Sequence, residues 1–373
     1  MIPLLDLTRQ NRTLWPQLER AIHRVIRKGN FILGEEVDRF EKGFARFCHV
    51  RYGVGVASGS DALELALRAV GVGPGDLVAT VSFTFTATAD AILQVGARPL
   101  FVDIDPNTYT MDPHDLEARL QRLEPPERRR LRAVIPVHLY GHPCPMDEIL
   151  AVARRYHLSV VEDAAQAAGA RWRGRPVGSL GDAGCFSFFP SKNLGTFGDG
   201  GMVVTHSKRV AGRIRSLRIH GRGDGLIQER LGRNSRLDEL QAAILRVKLE
   251  YLRSWVTKRQ ALARAYTWKL SRLDGLGCPV VAKGAKHAFH LYVIRSRRRD
   301  AIEEGLRRRG IASQVYYFLP IHRQPLYRRF LRPPSLPETE QAAKEVLAIP
   351  LFPELRRGEL NRICQAISST LCA

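Results

Sequence analysis

Apolar and polar positions repeat along this chain with two different spacings, which mark helices and strands. Between residues 13 and 28 the apolar side chains fall three or four positions apart, as on one face of a helix that ends at Gly29. Further helices are predicted over residues 35–47, 87–95, 113–123, 147–156 and 208–220, and another from Leu237 onwards. Short apolar runs predict buried strands over residues 54–57, 77–81, 98–102, 133–138, 158–163 and 203–205. Such alternation predicts an α/β fold whose mostly parallel sheet is covered by helices on both faces.

The pattern changes after about Leu273, where the elements become those of a smaller α+β unit. The chain there predicts strands over residues 289–295 and 311–315, and helices over residues 300–309 and 357–369. We therefore predict two domains. The large one covers residues 1–255 and includes the N-terminal helices, and the smaller C-terminal α+β domain covers residues 256–373.

The composition is ordinary for a soluble globular enzyme. The 373 residues are 45% hydrophobic and 25% charged, which allows a large core. Asp6 interrupts the apolar N-terminus, and no apolar run reaches the roughly 18 residues of a membrane span. We therefore expect a cytoplasmic protein without a membrane partner. The six cysteines lack metal-ligand spacing, so we expect reduced core thiols and no metal site.

The chain is strongly basic, with 58 Lys and Arg against 37 Asp and Glu and a formal net charge of +21. Such an excess is one mark of a nucleic-acid-binding surface. Here it is concentrated in the arginine runs of residues 127–132, 295–299 and 307–309, with little aromatic interleaving and no nucleic-acid motif. We interpret these runs as solvated faces whose field helps to attract an anionic nucleotide, and we expect no nucleic-acid partner.

The most informative segment for chemistry is residues 184–201, because it places Lys192 among apolar residues and five glycines. A short buried strand is predicted for Cys185, Phe186, Phe188 and Phe189. Burial disfavours the ammonium form and lowers the lysine pKa, which prepares the amine to attack a carbonyl and form a Schiff base. Taken alone, such a loop more often carries a solvated lysine. Two other segments change that interpretation.

These segments supply groups that a Schiff-base lysine needs. Asp163 ends the apolar run 158–163, and ligands bind beyond the carboxyl ends of parallel strands. A carboxylate there can keep the pyridine nitrogen of pyridoxal 5′-phosphate (PLP) protonated, so that the ring withdraws electrons. Ser58, Gly59 and Ser60 stand at a predicted helix N-terminus, where free N–H groups and the helix dipole bind phosphate. The alternative is that Ser58 or Ser60 only caps the helix.

Five segments follow one another in an order typical of one family of PLP enzymes. They are residues 58–63 (SGSDAL), 82–88 (SFTFTAT), 161–166 (VEDAAQ), 186–192 (FSFFPSK) and 234–243 (NSRLDELQAA). With these segments the chain resembles the DegT/StrS family of nucleotide-sugar aminotransferases, which has the aspartate-aminotransferase fold type. The resemblance extends from Pro3 to about Tyr327.

The resemblance implies a role for each matching residue. Lys192 would hold PLP as a Schiff base and move a proton between the cofactor and the substrate carbon. The cofactor contacts that it implies are Asp163 at the ring nitrogen, Gln166 at the phenolic oxygen, Phe85 stacked on the ring, and Gly59, Ser60 and Ser187 at the phosphate. From the residues alone, the alternative for Phe85 is a core side chain.

Two further positions are assigned by the resemblance. Asn234 matches a residue that reaches the phosphate of the neighbouring subunit's cofactor, which implies a homodimer with shared active sites. His322 matches a histidine near the sugar, although without that match it would be interpreted as a surface-loop histidine. Phe189 departs from the family pattern, because many members carry tyrosine or histidine there, and phenylalanine cannot hydrogen-bond a sugar.

The function implied is transfer of an amino group, with L-glutamate as donor, to a keto-sugar of a nucleoside diphosphate. The match favours a dTDP-linked 3-keto-6-deoxyhexose. One alternative is the same chemistry on a 4-keto sugar or a cyclitol ketone. Dehydratases of the family lack this lysine, so Lys192 favours transamination. An alternative from another class is a basic regulator that binds nucleic acid.

Overall fold

The computed structural model describes residues 1–223, 227–329 and 334–372. In this part of the chain the strands are β1 (Tyr52–Val56), β2 (Leu77–Val81), β3 (Arg98–Val102), β4 (Leu131–Ile135), β5 (Ser159–Asp163), β6 (Arg171–Trp172), β7 (Arg175–Pro176), β8 (Ala183–Ser187), β9 (Gly201–Thr205), β10 (Ala285–Lys286), β11 (Tyr292–Arg295) and β12 (Val346–Ile349).

The helices of the described chain are α1 (Leu7–Lys28), α2 (Glu35–Phe47), α3 (Gly59–Val70), α4 (Ala87–Gln94), α5 (Pro113–Arg122), α6 (Pro125–Arg128), α7 (Met146–Arg155), α8 (Lys208–Leu217), α9 (Glu239–Leu249), α10 (Leu252–Leu270), α11 (Arg299–Arg308), α12 (Pro325–Arg328), α13 (Pro337–Glu345) and α14 (Arg357–Leu371). Short 3₁₀ turns lie at Leu139–Gly141 and Ile321–Arg323.

The main sheet has seven strands in the order β1-β9-β8-β5-β4-β2-β3. Strand β9 runs antiparallel to β1 and β8, and the other neighbouring strands run parallel. The predicted mostly parallel α/β sheet is confirmed. Because β1, β8, β5, β4 and β2 point the same way, their carboxyl ends share one edge, and the loops that follow these strands meet there.

Alternate residues of the central strands enter two different cores, so both faces of the sheet are covered. In β8, Cys185 packs into the core that α3 shares, while Phe186 packs edge-on against Phe44 of α2 in a cluster of aromatic rings. In β9, Val203 faces the first core and Met202 the second. Strands buried on both faces read as continuous apolar runs, which is why the sequence pattern identifies them.

Several predicted elements have different bounds in the structure. The predicted strand 311–315 is wrong: Ile311 and Gln314 form only isolated bridges, to Ile2 and Ala348. The predicted strand around Phe188 and Phe189 ends earlier, because β8 stops at Ser187. Phe188 is buried, but Phe189 is 51% exposed.

A second core lies in the C-terminal part of the chain. Strands β11 and β12 pair antiparallel, and the core includes Tyr266, Tyr292 and Phe352 together with apolar residues of α11 and α14. Helix α10 runs through the predicted boundary between residues 255 and 256, and β10 pairs with β6 in a separate three-stranded sheet of order β10-β6-β7. The division into residues 1–255 and 256–373 stays a prediction.

The arginine runs lie mainly on the surface. Arg128, Arg129 and Arg130 are exposed, and Arg307 and Arg308 pair with Glu304. No helix in the described ranges combines the length and the apolar character that crossing a membrane requires. The cysteines are free; four of them are buried, Cys278 is partly buried and Cys372 is exposed.

Candidate active site

One cavity of about 670 Å³ lies at the carboxyl edge of the main sheet. Seven residues singled out from the sequence line it: Gly59, Ser60, Phe85, Asp163, Gln166, Ser187 and Lys192. They come from loops and element ends that lie up to 133 positions apart (192 − 59). The residues around it also include Thr88, Asp199, His290 and Tyr317, which the sequence reasoning missed.

Lys192 faces this cavity from the loop that follows β8. Its backbone N–H donates to Phe189 O (2.9 Å), which turns the loop tightly after Pro190. Burial lowers the pKa of Lys192 to about 8, although the nearby Asp163 carboxylate favours the ammonium. The sequence predicted this direction, and its cause is the desolvation that the sequence also indicated. About a tenth of the amine is therefore unprotonated at pH 7, far more than for a solvated lysine.

Asp163 and Glu162 are adjacent but serve opposite faces of β5, because side chains alternate along a strand. Glu162 accepts hydrogen bonds from the backbone N–H groups of residues 178, 180 and 181 at 2.7 Å each, so it ties down a turn. Asp163 instead faces the cavity, where it accepts from Thr88 Oγ1 (2.8 Å) and Ala165 N (3.1 Å). Burial raises the pKa of Asp163 despite these bonds, so a cationic ligand would relieve the cost of its charge.

The N-terminus of α3 provides unpaired hydrogen-bond donors. Ser58 caps the helix by accepting from Asp61 N (3.1 Å), as one sequence alternative held. The N–H groups of Gly59 and Ser60 belong to the first turn and have no intrahelical acceptor. A Cβ on Gly59 would lie only 2.6 Å from Ser187 Cβ, so glycine lets the end of β8 approach. The turn thus combines free N–H groups, the hydroxyls of Ser58 and Ser60, and the positive end of a 12-residue helix.

Gln166 has a fixed amide orientation. Its Oε1 accepts from the backbone N–H of Tyr140 (2.8 Å), and its Nε2 donates to the Tyr317 hydroxyl (3.1 Å). The other Nε2 hydrogen is left for a ligand, and it suits an acceptor such as a phenolate oxygen. Tyr140 has a φ of 57°, in the left-handed region, and this places its N–H for the contact.

The aromatic residues at the cavity are open to it. Phe85 is 57% exposed and its ring centre lies 6.3 Å from that of Tyr317. The alternative that Phe85 is a core side chain is therefore wrong for this structure. Phe189 and Phe318 also line the cavity and are exposed, so an apolar surface surrounds its opening.

Two predicted site residues lie outside the cavity lining of the described chain. Asn234 is exposed, and its neighbour Ser235 donates to Asp61 Oδ2 (2.6 Å) beside the start of α3. His322 is buried, so it is not a surface-loop histidine. Its Nδ1 lies 2.6 Å from Ser82 Oγ, which also accepts from the His322 backbone N–H (3.0 Å), and its Nε2 lies 3.2 Å from Glu340 Oε1. A sugar contact would have to replace one of these bonds, and the roles of both residues stay predictions.

Among the residues that the sequence reasoning missed, Thr88 had a local signal, because it ends the quoted segment 82–88. Tyr317 and His290 had none, because they approach from a distant part of the chain. His290 is buried, and its Nδ1 has no hydrogen-bond partner in the described residues. Burial, together with the positive charges of Lys192 and Arg259, lowers the pKa of His290 well below its usual value, so its ring is neutral.

These groups fit PLP. The free N–H groups of α3 with Ser60 and Ser187 would hold the phosphate, and the costly buried charge of Asp163 would find its cation in the protonated ring nitrogen. Gln166 presents a donor for the phenolic oxygen, Phe85 offers an open face, and Lys192 supplies an amine with a low pKa.

Comparison with known proteins agrees with this fit. The profile of the DegT/DnrJ/EryC1/StrS aminotransferase family matches residues 15–368. The chain is 44% identical to a protein of Geobacillus stearothermophilus named pleiotropic regulatory protein, with 98% of each chain covered. It is 43% identical to dTDP-3-amino-3,4,6-trideoxy-α-D-glucose transaminase of Streptomyces venezuelae (98% and 95% covered). It is 44% identical to UDP-N-acetyl-3-dehydro-α-D-glucosamine 3-aminotransferase of Acidithiobacillus ferrooxidans (99% and 98% covered).

Solved structures lead to the same family. The crystal structure of S. venezuelae DesV in complex with a ketimine intermediate superposes with a TM-score of 0.95 at 43% identity, and 99% of this chain and 98% of that chain are covered. The fold, the enzyme class and the cofactor predicted from the sequence are confirmed. The chain belongs to the DegT/DnrJ/EryC1/StrS aminotransferase family and is a PLP-dependent aminotransferase.

Proposed function

We propose that this enzyme transfers the amino group of L-glutamate to the keto group of a nucleoside-diphosphate sugar, and that the sugar is a dTDP-linked 3-keto-6-deoxyhexose. The observation that carries the proposal is the position of Lys192, whose amine has a pKa of about 8 and shares one cavity with Asp163 and the N-terminus of α3. The names of two relatives support amination at carbon 3 of a nucleotide sugar.

When bound, PLP supplies an electron-withdrawing ring that carries the amino group from the donor to the acceptor. Lys192 then has two tasks. Its amine would hold the cofactor between turnovers, and once free it would take a proton from the donor carbon and return a proton to the acceptor carbon. An amine with a pKa near the working pH is suited to both directions of that transfer.

The other residues hold the ring in place for Lys192. Asp163 would keep the ring nitrogen protonated, and Thr88 fixes this carboxylate through a 2.8 Å hydrogen bond. The α3 N-terminus would hold the phosphate, while Gln166 would donate to the phenolic oxygen.

A shortage of positive charge in the cavity lining supports the proposed homodimer. In the described lining of the cavity, Lys192 is the only lysine or arginine. A diphosphate and the carboxylates of glutamate both require cationic or strong hydrogen-bonding partners. We infer that a second subunit completes the site, with Asn234 of the partner subunit reaching the cofactor phosphate as the family resemblance implies.

The preference for a deoxysugar is supported by the aromatic rings at the cavity opening. Phe189 is 51% and Phe318 75% exposed there, and neither ring can hydrogen-bond a hydroxyl. A methyl group at carbon 6 would pack on such a surface, whereas a hydroxymethyl group would lose hydrogen bonds with water.

Product analysis tests the proposal. The purified protein is incubated with PLP, L-glutamate and a panel of 3-keto and 4-keto nucleotide sugars and a cyclitol ketone, with Lys192→Ala as the control. We expect a 3-amino-6-deoxy product with the wild type and none with the variant. Amination only of a 4-keto sugar or a cyclitol would replace the substrate assignment while keeping the chemistry.

A regulatory role is the second candidate, because one relative is named a pleiotropic regulatory protein. The absorption spectrum distinguishes the two. A visible band that disappears in Lys192→Ala supports the enzyme, and specific binding of duplex DNA at physiological salt would support the regulator. The cytoplasmic location expected from the sequence stays a prediction.

A further inference from the structure

Lys248, on α9, is a buried lysine outside the cavity. Its side chain is 1% exposed, and in the described residues no carboxylate oxygen lies within 4.0 Å of its amine. Burial lowers the pKa of Lys248 to about 8. A buried amine without a counter-charge lowers the stability of the fold, so a lysine at this position suggests a specific role.

The contacts of Lys248 lie on the loop that follows Lys192. Its Nζ donates to the backbone carbonyl of Gly195 at 2.8 Å. The same nitrogen lies 4.5 Å from the ring centre of Phe197, within range of a cation–π interaction. One amine therefore holds two residues of a loop that lies about 50 positions away in the sequence (248 − 195 = 53).

Gln241 holds the same loop. It precedes Lys248 by seven residues, which is two helical turns, so both side chains leave the same face of α9. Gln241 Oε1 accepts hydrogen bonds from Phe197 N (3.2 Å) and from the Thr196 hydroxyl. This face of α9 thus contacts the backbone of Gly195 and Phe197, the hydroxyl of Thr196 and the ring of Phe197.

The loop itself is too tight for residue 195 to move independently of Lys192. Thr196 N donates to Phe188 O (2.8 Å), which closes the loop at its base. A Cβ on Gly195 would lie 2.3 Å from Pro190 O, so these two residues are already in close contact. A shift of Gly195 would therefore displace the backbone on both sides of Lys192.

We propose that Lys248 is a positioning residue for the Schiff-base lysine: together with Gln241 it holds the 189–197 loop so that the Lys192 amine stays in the cavity. The inference rests on the proposed role of Lys192. Lys248 does not line the cavity, so it acts through the loop and touches neither cofactor nor substrate.

The test compares Lys248→Met, which keeps the length of the side chain but removes the donor, with Tyr266→Phe. Tyr266 is also buried and also donates to a backbone carbonyl, Pro350 O at 2.8 Å, in the C-terminal core. Both variants lose one buried hydrogen bond. We expect only Lys248→Met to speed amide hydrogen exchange of residues 190–198 in the apoprotein. It should also raise the PLP concentration for half-saturation by about tenfold.

Equal thermal destabilisation of the two variants with unchanged loop exchange and PLP affinity in Lys248→Met would overturn the proposal, because Lys248 would then only support the fold. If Lys248→Met does not fold, Gln241→Leu takes its place, with the same two measurements and the same interpretation. A separate result would show that the proposed function is wrong, namely residual transamination by Lys192→Ala. Hydrogen exchange of the loop can still be measured in that variant.

Discussion

The sharpest test of the site is the pair Asp163→Asn and Glu162→Gln, because two adjacent carboxylates face opposite sides of one strand. The asparagine keeps the shape of Asp163 and removes its charge. Its Oδ1 can still accept from Ala165 N, and Thr88 can turn its hydroxyl towards Thr84, whose Oγ1 lies 3.1 Å away. The fold should therefore survive, and PLP should still bind.

The magnitude follows from the burial of Asp163, which is 5% exposed. Removing one partner of a buried hydrogen-bonded charge pair costs roughly 3–5 kcal/mol. The pair formed with the ring nitrogen is needed most when the ring accepts electrons, so most of that loss should appear in the barrier. About 4 kcal/mol corresponds to roughly a thousandfold slower reaction.

The assay is the single-turnover reaction of the PLP-loaded protein with L-glutamate, followed by visible absorption, together with thermal unfolding. Asp163→Asn should react about a thousandfold more slowly with a small change in melting temperature. Glu162→Gln should react at nearly the wild-type rate but unfold at a lower temperature, because Glu162 binds three backbone N–H groups and does not face the cavity. A rate for Asp163→Asn within about threefold of wild type, or equal slowing in both variants, would refute the assigned role.

Three further predictions concern Lys192 and its partners. Lys192→Ala should keep the fold and lose turnover in a product assay, since Lys192 is the only lysine in the described cavity lining; substantial residual transamination would contradict the assignment. The rate at which apoprotein takes up PLP should rise with pH with a midpoint near pH 8, the pKa of Lys192, whereas a midpoint near 10.5 would indicate a solvated lysine. Inactive Lys192→Ala chains can be mixed with weakened Asn234→Ala chains to form heterodimers. If Asn234 acts across the interface, near-normal PLP affinity and activity should return at one site per heterodimer. If it acts within its own chain, mixing should restore nothing.

The same pKa shift has a consequence for stability. A lysine whose folded pKa lies below its unfolded value binds more protons when unfolded, so stability rises with pH through that interval. For Lys192 and Lys248 the interval runs from about pH 8 to 10.5, and their penalty on folding is fully present below it. Thermal unfolding of the apoprotein, with Lys248→Met as the comparison, measures this effect.

The sequence by itself determined what depends on neighbouring residues. Apolar spacing is a local property, so it located β2 and β3 at their observed bounds and most helices within a few residues. The sequence also predicted the chemical roles of Lys192, Asp163 and the α3 N-terminus. Each lies in a short segment, and a PLP site needs the residue types of all three segments.

Only the tertiary structure decided which distant groups meet. Alternation along β5 made Asp163 a cavity residue and Glu162 a structural one, although both carry the same charge. Packing buried His322, exposed Phe189 and left residues 311–315 without a strand partner beyond isolated bridges. The contact of Lys248 with Gly195 spans 53 positions, and no local pattern encodes it, because it depends on how α9 docks beside the loop of Lys192.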